Sequence, residues 1–365
     1  MSSSCDILSS SFDELSNIMG GTGKATIIWS LLKEGINPLE SNETNSNMMN
    51  NLSMKAKDHL ISLLNNNTLL PLDVMQETLS DCGTRKLLLK LKDGQSIESV
   101  LIPSIKHDRT TLCISTQVGC DRGCRFCLTG KMGLIRNLTS AEMIGQVIKG
   151  IEISKRYNMP SLKNVVLMGM GDSGRNIDNV GIAVNCLTDR KRLSLAQSKV
   201  TISTVGPSPE TFMTLASFPG TLAWSLHTAD DNLRKILVPS TKHTTIELRE
   251  GLLKALESRT ALRTRTIMIA ITLINDINDS MEDAKKIADF VRPMLEIAPK
   301  IALDLIPYND ISVDGFTRPS KDKINAFQQY LRSQGFFCSV RVTRGDDDNS
   351  ACGMLHTKRK EKLIV

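Results

Sequence analysis

From residue 111 onward the chain alternates two hydrophobic rhythms. Short runs rich in Val, Ile, Leu and Thr recur at 112–116, 164–169, 199–204, 222–226, 265–273, 302–307 and 338–343. Between them lie longer stretches with apolar residues three and four apart, such as Met143, Val147 and Ile151, and again over 280–295 and 321–334. The short runs read as buried strands and the longer ones as helices packed over them. Thr139-Ser-Ala-Glu142 is a capping box that opens one of those helices. Strand–helix alternation implies a parallel sheet with right-handed crossovers. Six to seven units are too few for a closed eight-fold barrel. The pattern therefore predicts an α/β fold, a partial and open TIM-like (β/α)6 barrel.

Before residue 111 the rhythm changes. Residues 85–102 form two strand-like runs around Asp93-Gly94, a hairpin turn signal. Residues 27–39 and 55–64 read as short helices, the first with Ile27, Ile28, Leu31 and Leu32 on one stripe. An Asn-rich connector at 41–51 lies between them. The expected organisation is a small helical module with its linker over 1–84, a β-hairpin connection over 85–110, a core over 111–353 and a basic tail over 354–365.

Composition narrows the setting. A chain of 365 residues with 41% hydrophobic content can bury a sizeable core, as one large domain plus a small one. The net charge of +6 is compatible with a nucleic-acid partner without requiring one. Nine cysteines without an even framework of spacings fit reduced thiols better than disulfide staples. No apolar run reaches the roughly 18 residues a membrane helix needs. The first twenty residues are Ser-rich, carry Asp6, Asp13 and Glu14, and contain no Lys or Arg, unlike a transit or signal peptide. A soluble, cytoplasmic protein, monomeric and without membrane contact, is the expectation.

The chemistry concentrates directly after the run at 112–116, in Cys120-Asp-Arg-Gly-Cys124-Arg-Phe-Cys127. Three thiolates at C-x3-C-x2-C spacing can converge on one inorganic centre, because sulfur is a soft ligand for zinc or iron–sulfur clusters. A closed zinc site needs four ligands, usually as two spaced pairs, and no second pair follows. A [4Fe–4S] cube held by three cysteines keeps one iron open for S-adenosylmethionine (SAM). Both centres remain possible on spacing alone.

The spacing resembles that of the radical SAM superfamily. Cys113-Ile-Ser-Thr-Gln-Val-Gly-Cys120, then Cys124, Phe126 and Cys127, then Gly133-Leu-Ile-Arg-Asn-Leu138 resemble one branch of it, the RlmN and Cfr family of RNA adenine methyltransferases. The resemblance runs over about 98–353. It implies a radical SAM barrel, a [4Fe–4S] cluster on Cys120, Cys124 and Cys127, SAM as second cofactor, and ribosomal RNA, transfer RNA or both as substrate. It also implies a low-potential electron donor such as flavodoxin or ferredoxin. The family's Gly-Met-Gly-Glu-Pro turn reads Gly169-Met-Gly-Asp172-Ser173 here, which assigns Gly171 and Asp172 to SAM with a shorter carboxylate and no proline. Ser203, Ser225, Leu226, His227 and Asn309, all at predicted strand ends, are implied SAM contacts.

Two further cysteines match the family's catalytic pair. Cys352, in Arg344-Gly-Asp-Asp-Asp-Asn-Ser-Ala-Cys-Gly353, matches the methyl-carrying cysteine. Cys113 matches the cysteine that resolves the protein–RNA adduct and leaves a Cys113–Cys352 disulfide. Glu98, in Ile97-Glu-Ser-Val-Leu-Ile-Pro103, matches the proton acceptor. The implied reaction is methylation of carbon 2 of adenine through a methyl-cysteine and a 5′-deoxyadenosyl radical. That carbon is electrophilic and cannot attack a sulfonium methyl, whereas a thiolate can. Alternatives are another radical SAM reaction on the same scaffold, carbon-8 methylation included, or a non-catalytic RNA-binding protein with a structural metal. The basic clusters 189–192 and 356–362 are candidate phosphate contacts.

Overall fold

The computed structural model describes residues 7–40, 52–64, 69–311, 314–342 and 351–355. The Asn-rich connector, residues 344–350 and the basic cluster at 356–362 fall outside them.

Twelve strands are present among the described residues: β1 (Leu72–Leu79), β2 (Arg85–Leu91), β3 (Ser96–Ser104), β4 (Arg109–Cys113), β5 (Gln117–Cys120), β6 (Gly133–Asn137), β7 (Leu162–Leu167), β8 (Val200–Thr204), β9 (Thr221–Ser225), β10 (Thr266–Leu273), β11 (Lys300–Pro307) and β12 (Phe337–Val340). Ten of them form one sheet in the order β1-β2-β3-β4-β7-β8-β9-β10-β11-β12. From β4 to β12 every neighbouring pair is parallel. Helices cross over between these strands, among them Ser140–Arg156, Ile177–Thr188, Pro209–Ala216, Thr245–Glu257, Met281–Val291 and Lys321–Ser333. The predicted open (β/α)6 arrangement is therefore the observed one. The parallel strands are buried on both faces: Ile267, Ile269, Ile271, Leu303 and Leu305 seal one, and Ala270, Thr272, Asp304 and Ile306 on the other are nearly closed to solvent. The capping box expected at Thr139 is formed reciprocally with Glu142.

The region before residue 111 departs from expectation. Helices occupy Phe12–Ile18, Thr22–Lys33 and Met54–Leu64, so the first predicted helix lies about a turn earlier than 27–39. Gly35, at φ +73, stops it, because a left-handed residue cannot continue a helix. Residues 72–79, inside the stretch read as helical, form β1 instead and pair antiparallel with β2. The hairpin β2–β3 turns at Asp93-Gly94 as predicted. It is not a free connector, for β3 pairs antiparallel with β4 and carries the barrel sheet outward. One apolar core runs from Ile7 and Trp29 through Leu112 and Trp224 to Leu331.

The basic cluster 189–192 is partly spent inside the fold, with Arg190 and Lys191 left exposed. Arg192 is buried, pairs with Asp189 at 2.8 Å and donates to the Ser10 carbonyl. Lys191 lies over the Phe12 ring. These contacts tie the first helix to the barrel. No helix among the described residues is long and apolar enough to cross a membrane.

Candidate active site

Strand β4 ends at Cys113, earlier than the predicted 112–116 run. The chain then leaves the sheet because polar groups capture it. Gln146 on the long helix accepts from Ser115 N at 2.8 Å, and Ser115 Oγ donates to the Glu98 carbonyl at 2.7 Å. The released segment becomes β5, which pairs with β6 in a separate two-stranded sheet. This hairpin carries Cys120. Its strands approach so closely that a Cβ on Gly119 (φ +75) would stand 1.9 Å from the Gly133 carbonyl oxygen.

Cys120 and Cys124 are buried and Cys127 half-buried. Burial pushes the Cys120 thiol up to about 12 and raises Cys124 and Cys127 as well; Cys120 and Cys124 are raised further by neighbours in the trio, and Cys127 by Cys352. Three thiols thus share one enclosed space and stay protonated unless a cationic centre takes them as thiolates, releasing protons on binding. The donor set suits an iron–sulfur cube. Among the described residues no three His, Cys, Asp or Glu side chains are gathered around a single ion. Sulfurs on the corners of a cube stand further apart than sulfurs on one zinc.

The glycine turn after β7 lies against β5. Gly171, at φ +98, has Gln117 Cβ 2.6 Å from where its own Cβ would be; only glycine fits both the angle and the gap. Asp172 is buried, and burial raises its carboxyl. One oxygen accepts from Gly174 N at 2.7 Å and the other from Val205 N at 3.0 Å, with the Thr204 hydroxyl also donating. That fills about three of a carboxylate's four acceptor positions. The shortened side chain clasps its own turn to the end of β8, with about one position left for a ligand ammonium.

The other predicted SAM contacts divide. Ser203 and Ser225 are partly exposed at the ends of β8 and β9. Leu226 is sealed from solvent, its N–H bonds to the Ala270 carbonyl and its own carbonyl accepts from Arg234. His227 is buried at φ +64, with Nδ1 accepting from Thr272 N at 3.2 Å and its ring 4.5 Å from Phe126 between Cys124 and Cys127. Burial drops its pKa to about 3, so the ring is neutral. Asn309 donates to the Cys352 carbonyl at 2.9 Å.

Cys352 is exposed and comes back onto the cysteine loop. Leu128 N donates to the Gly353 carbonyl at 2.8 Å, and Thr129 Oγ1 to the Leu355 carbonyl at 2.5 Å. Ala351 and Met354 pack with Cys124, Tyr308 and Ile311 in a small second apolar cluster. Arg341 Nη1 lies 4.0 Å from Cys352 Sγ. Asp304, in the middle of apolar β11, anchors that guanidinium with Nε at 3.0 Å, and Ser339 holds the other carboxylate oxygen. Cys113 lies in the same space: burial pushes its thiol up to about 12, raised further by Cys352 and lowered by Arg341.

Glu98 belongs to this group and is not on an exposed edge. It is 4% exposed and ion-paired with Lys86 at 3.4 Å. Val100 is opposite Cys113 in the β3–β4 register, so Glu98, two residues away, projects from the same sheet face as that cysteine, as a diagonal neighbour. Arg341, Asp304, Lys86 and Gln146 were absent from the sequence reading. Asp304 gave a usable signal, since a lone carboxylate inside an apolar strand demands a buried cation. A groove of about 510 Å³ along β1 lies elsewhere; ion pairs of Glu77 and Glu152 with Arg156 and Lys149 close its wall.

A family model described as the radical SAM superfamily matches residues 114–291. A Ruegeria pomeroyi protein named dual-specificity RNA methyltransferase RlmN is 37% identical over 80% of this chain and 75% of its own. A protein of the same name from Saccharophagus degradans is 35% identical over 88% and 81%. The chain belongs to the RlmN family. A crystal structure of a radical SAM methyltransferase from Sphaerobacter thermophilus, 32% identical, superposes with a TM-score of 0.83 over 95% of this chain and 98% of that one. RlmN-family proteins are SAM-dependent enzymes that use a [4Fe–4S] cluster. Cys120, Cys124 and Cys127 are the residues that would hold that cluster here.

Proposed function

We propose that this enzyme methylates carbon 2 of adenine in ribosomal RNA, transfer RNA or both. The names of its relatives support an RNA substrate. One observation carries the chemistry: the chain's last described segment returns Cys352 to the cysteine loop, into the space that also holds Cys113, Arg341 and the face bearing Glu98.

When bound, the cluster and SAM supply the methyl group and the radical that activates it. The protein's own residues do the rest. Cys352, exposed and fixed through its carbonyl by Asn309, accepts the methyl group on sulfur. Arg341 lies beside that sulfur, and the thiolate form is the nucleophile. Once the carbon is joined to adenine, the adduct gives back the one electron that started the cycle and Glu98 takes the ring proton. Cys113 then attacks the sulfur of Cys352, the released carbon leaves with the bonding pair and takes up a proton, methylated RNA departs, and the two thiols remain as a disulfide. An external dithiol restores both thiols by exchange. A low-potential carrier such as flavodoxin or ferredoxin delivers the electron the cluster needs.

Nucleoside mass spectrometry of RNA from cells lacking the protein tests this reading. Loss of 2-methyladenosine is expected. Unchanged 2-methyladenosine, or loss of an 8-methyl product instead, refutes it.

A further inference from the structure

Arg234 lies on the short helix Asp231–Leu237 and has no exposed surface at all. Its guanidinium donates to three main-chain carbonyls: Ser225 at 3.1 Å, Leu226, and Val205. Val205 follows β8, and Ser225 and Leu226 end β9, so one fork holds the two strand ends that carry Ser203, Ser225 and His227. Trp224 reinforces the joint, its indole N–H reaching the same Val205 carbonyl at 3.2 Å. The next turn of the helix meets the cysteine loop, where Arg125 N donates to the Leu237 carbonyl at 3.0 Å.

The fork satisfies the two terminal nitrogens but leaves the charge, and the buried Nε has no hydrogen-bond partner. Among the described residues no carboxylate forms an ion pair with Arg234; Asp231, Asp172 and the Cys124 thiol are the acidic groups near enough to act on it. Asp231 and Asp172 are themselves occupied by main-chain N–H groups. A guanidinium stays protonated in a protein interior, and burying such a charge without a partner costs several kcal/mol. An anionic group at the cysteine trio would offset that cost, and a cube on three thiolates is anionic.

We propose that Arg234 is a positioning residue with two separable effects: its fork aligns the β8 and β9 ends that receive SAM, and its fixed charge beside Cys124 eases electron entry into the cluster. The second effect follows from electrostatics, since a reduced cluster carries one more negative charge and is stabilised by a nearby cation. The proposal rests on Cys120, Cys124 and Cys127 holding that cluster.

The test compares full-length, anaerobically reconstituted wild type with Arg234→Gln and Arg234→Lys. Iron and sulfide content are measured first, then reduction potential by spectroscopic titration, then SAM affinity from the change SAM causes in the reduced-cluster signal. Arg234→Gln is expected to hold its cluster yet favour the oxidised form about tenfold more, a fall of 59 mV for one electron. Arg234→Lys keeps the charge and loses the fork, so its potential stays near wild type while SAM binds at least about tenfold more weakly. A wild-type potential in Arg234→Gln overturns the proposal. Should that variant not fold, wild-type SAM affinity in Arg234→Lys overturns it instead. A wild-type protein that takes up no iron refutes the cluster assignment, which is a different failure.

Discussion

Two glycines in the cysteine loop have the same backbone hand and opposite surroundings, and that contrast yields a sharp prediction. Gly119 and Gly123 have φ of +75 and +65. Placing alanine at either costs about 1–2 kcal/mol for the left-handed conformation. At Gly123 nothing lies within 4 Å of the added carbon, so that is the whole cost. At Gly119 the carbon would stand 1.9 Å from the Gly133 oxygen, and contacts under 3.0 Å essentially never occur. The hairpin strands must part by about an ångström, adding about 1–3 kcal/mol of overpacking. The total of about 2–5 kcal/mol falls on a two-stranded hairpin that is marginal by itself and carries Cys120. Gly119→Ala should therefore hold the cluster at least about thirtyfold less tightly, whereas Gly123→Ala should load about four irons per chain. Because β5 and β6 form their own sheet, far-ultraviolet circular dichroism of both apoproteins should match wild type. Iron and sulfide counts after anaerobic reconstitution and desalting provide the measurement. Equal, full loading of both variants would refute the reasoning, as would equal loss.

Three further outcomes are expected. Cys352→Ala should lower RNA methylation by more than about a hundredfold while leaving iron content intact; turnover near wild type would remove that thiol from the reaction. Cys113→Ala should leave protein covalently attached to RNA, visible as a shifted band on denaturing gels that reductant does not reverse. His227 gives a pH signature: its folded pKa of about 3 lies below the unfolded value near 6.5, so the unfolded chain binds the proton first. The stability it contributes is complete above about pH 6.5 and is lost as pH falls toward 3. Urea unfolding of apoprotein should show wild type losing about 2 kcal/mol more than His227→Asn between pH 8 and pH 5.

Much of this was legible in the sequence because it depends on local rules. Strand runs buried on both faces, the Asp93-Gly94 turn and the Thr139–Glu142 box declare themselves within a few residues. Cysteine spacing announced the trio for the same reason. What stayed hidden depends on partners far along the chain. Arg341 is defined by Asp304 and Cys352, and Arg234 by carbonyls that have no sequence signature. The strand character of 72–79 was missed because its residues alternate weakly, and its pairing with β2 decides its state.

The continuous ladder from β3 into β4 has a practical consequence for anyone trimming this chain. The superfamily match covers 114–291, and a fragment cut to those limits would discard Glu98, Cys113, Asn309 and Cys352 together. Cutting just before β4 would be scarcely better, because it strips away the partner that hydrogen-bonds its outer side. The bared strand would then offer a row of unpaired N–H and C=O groups to the next molecule. Such fragments should precipitate as stacked sheets, so the residues ahead of the barrel serve as its solubilising rim.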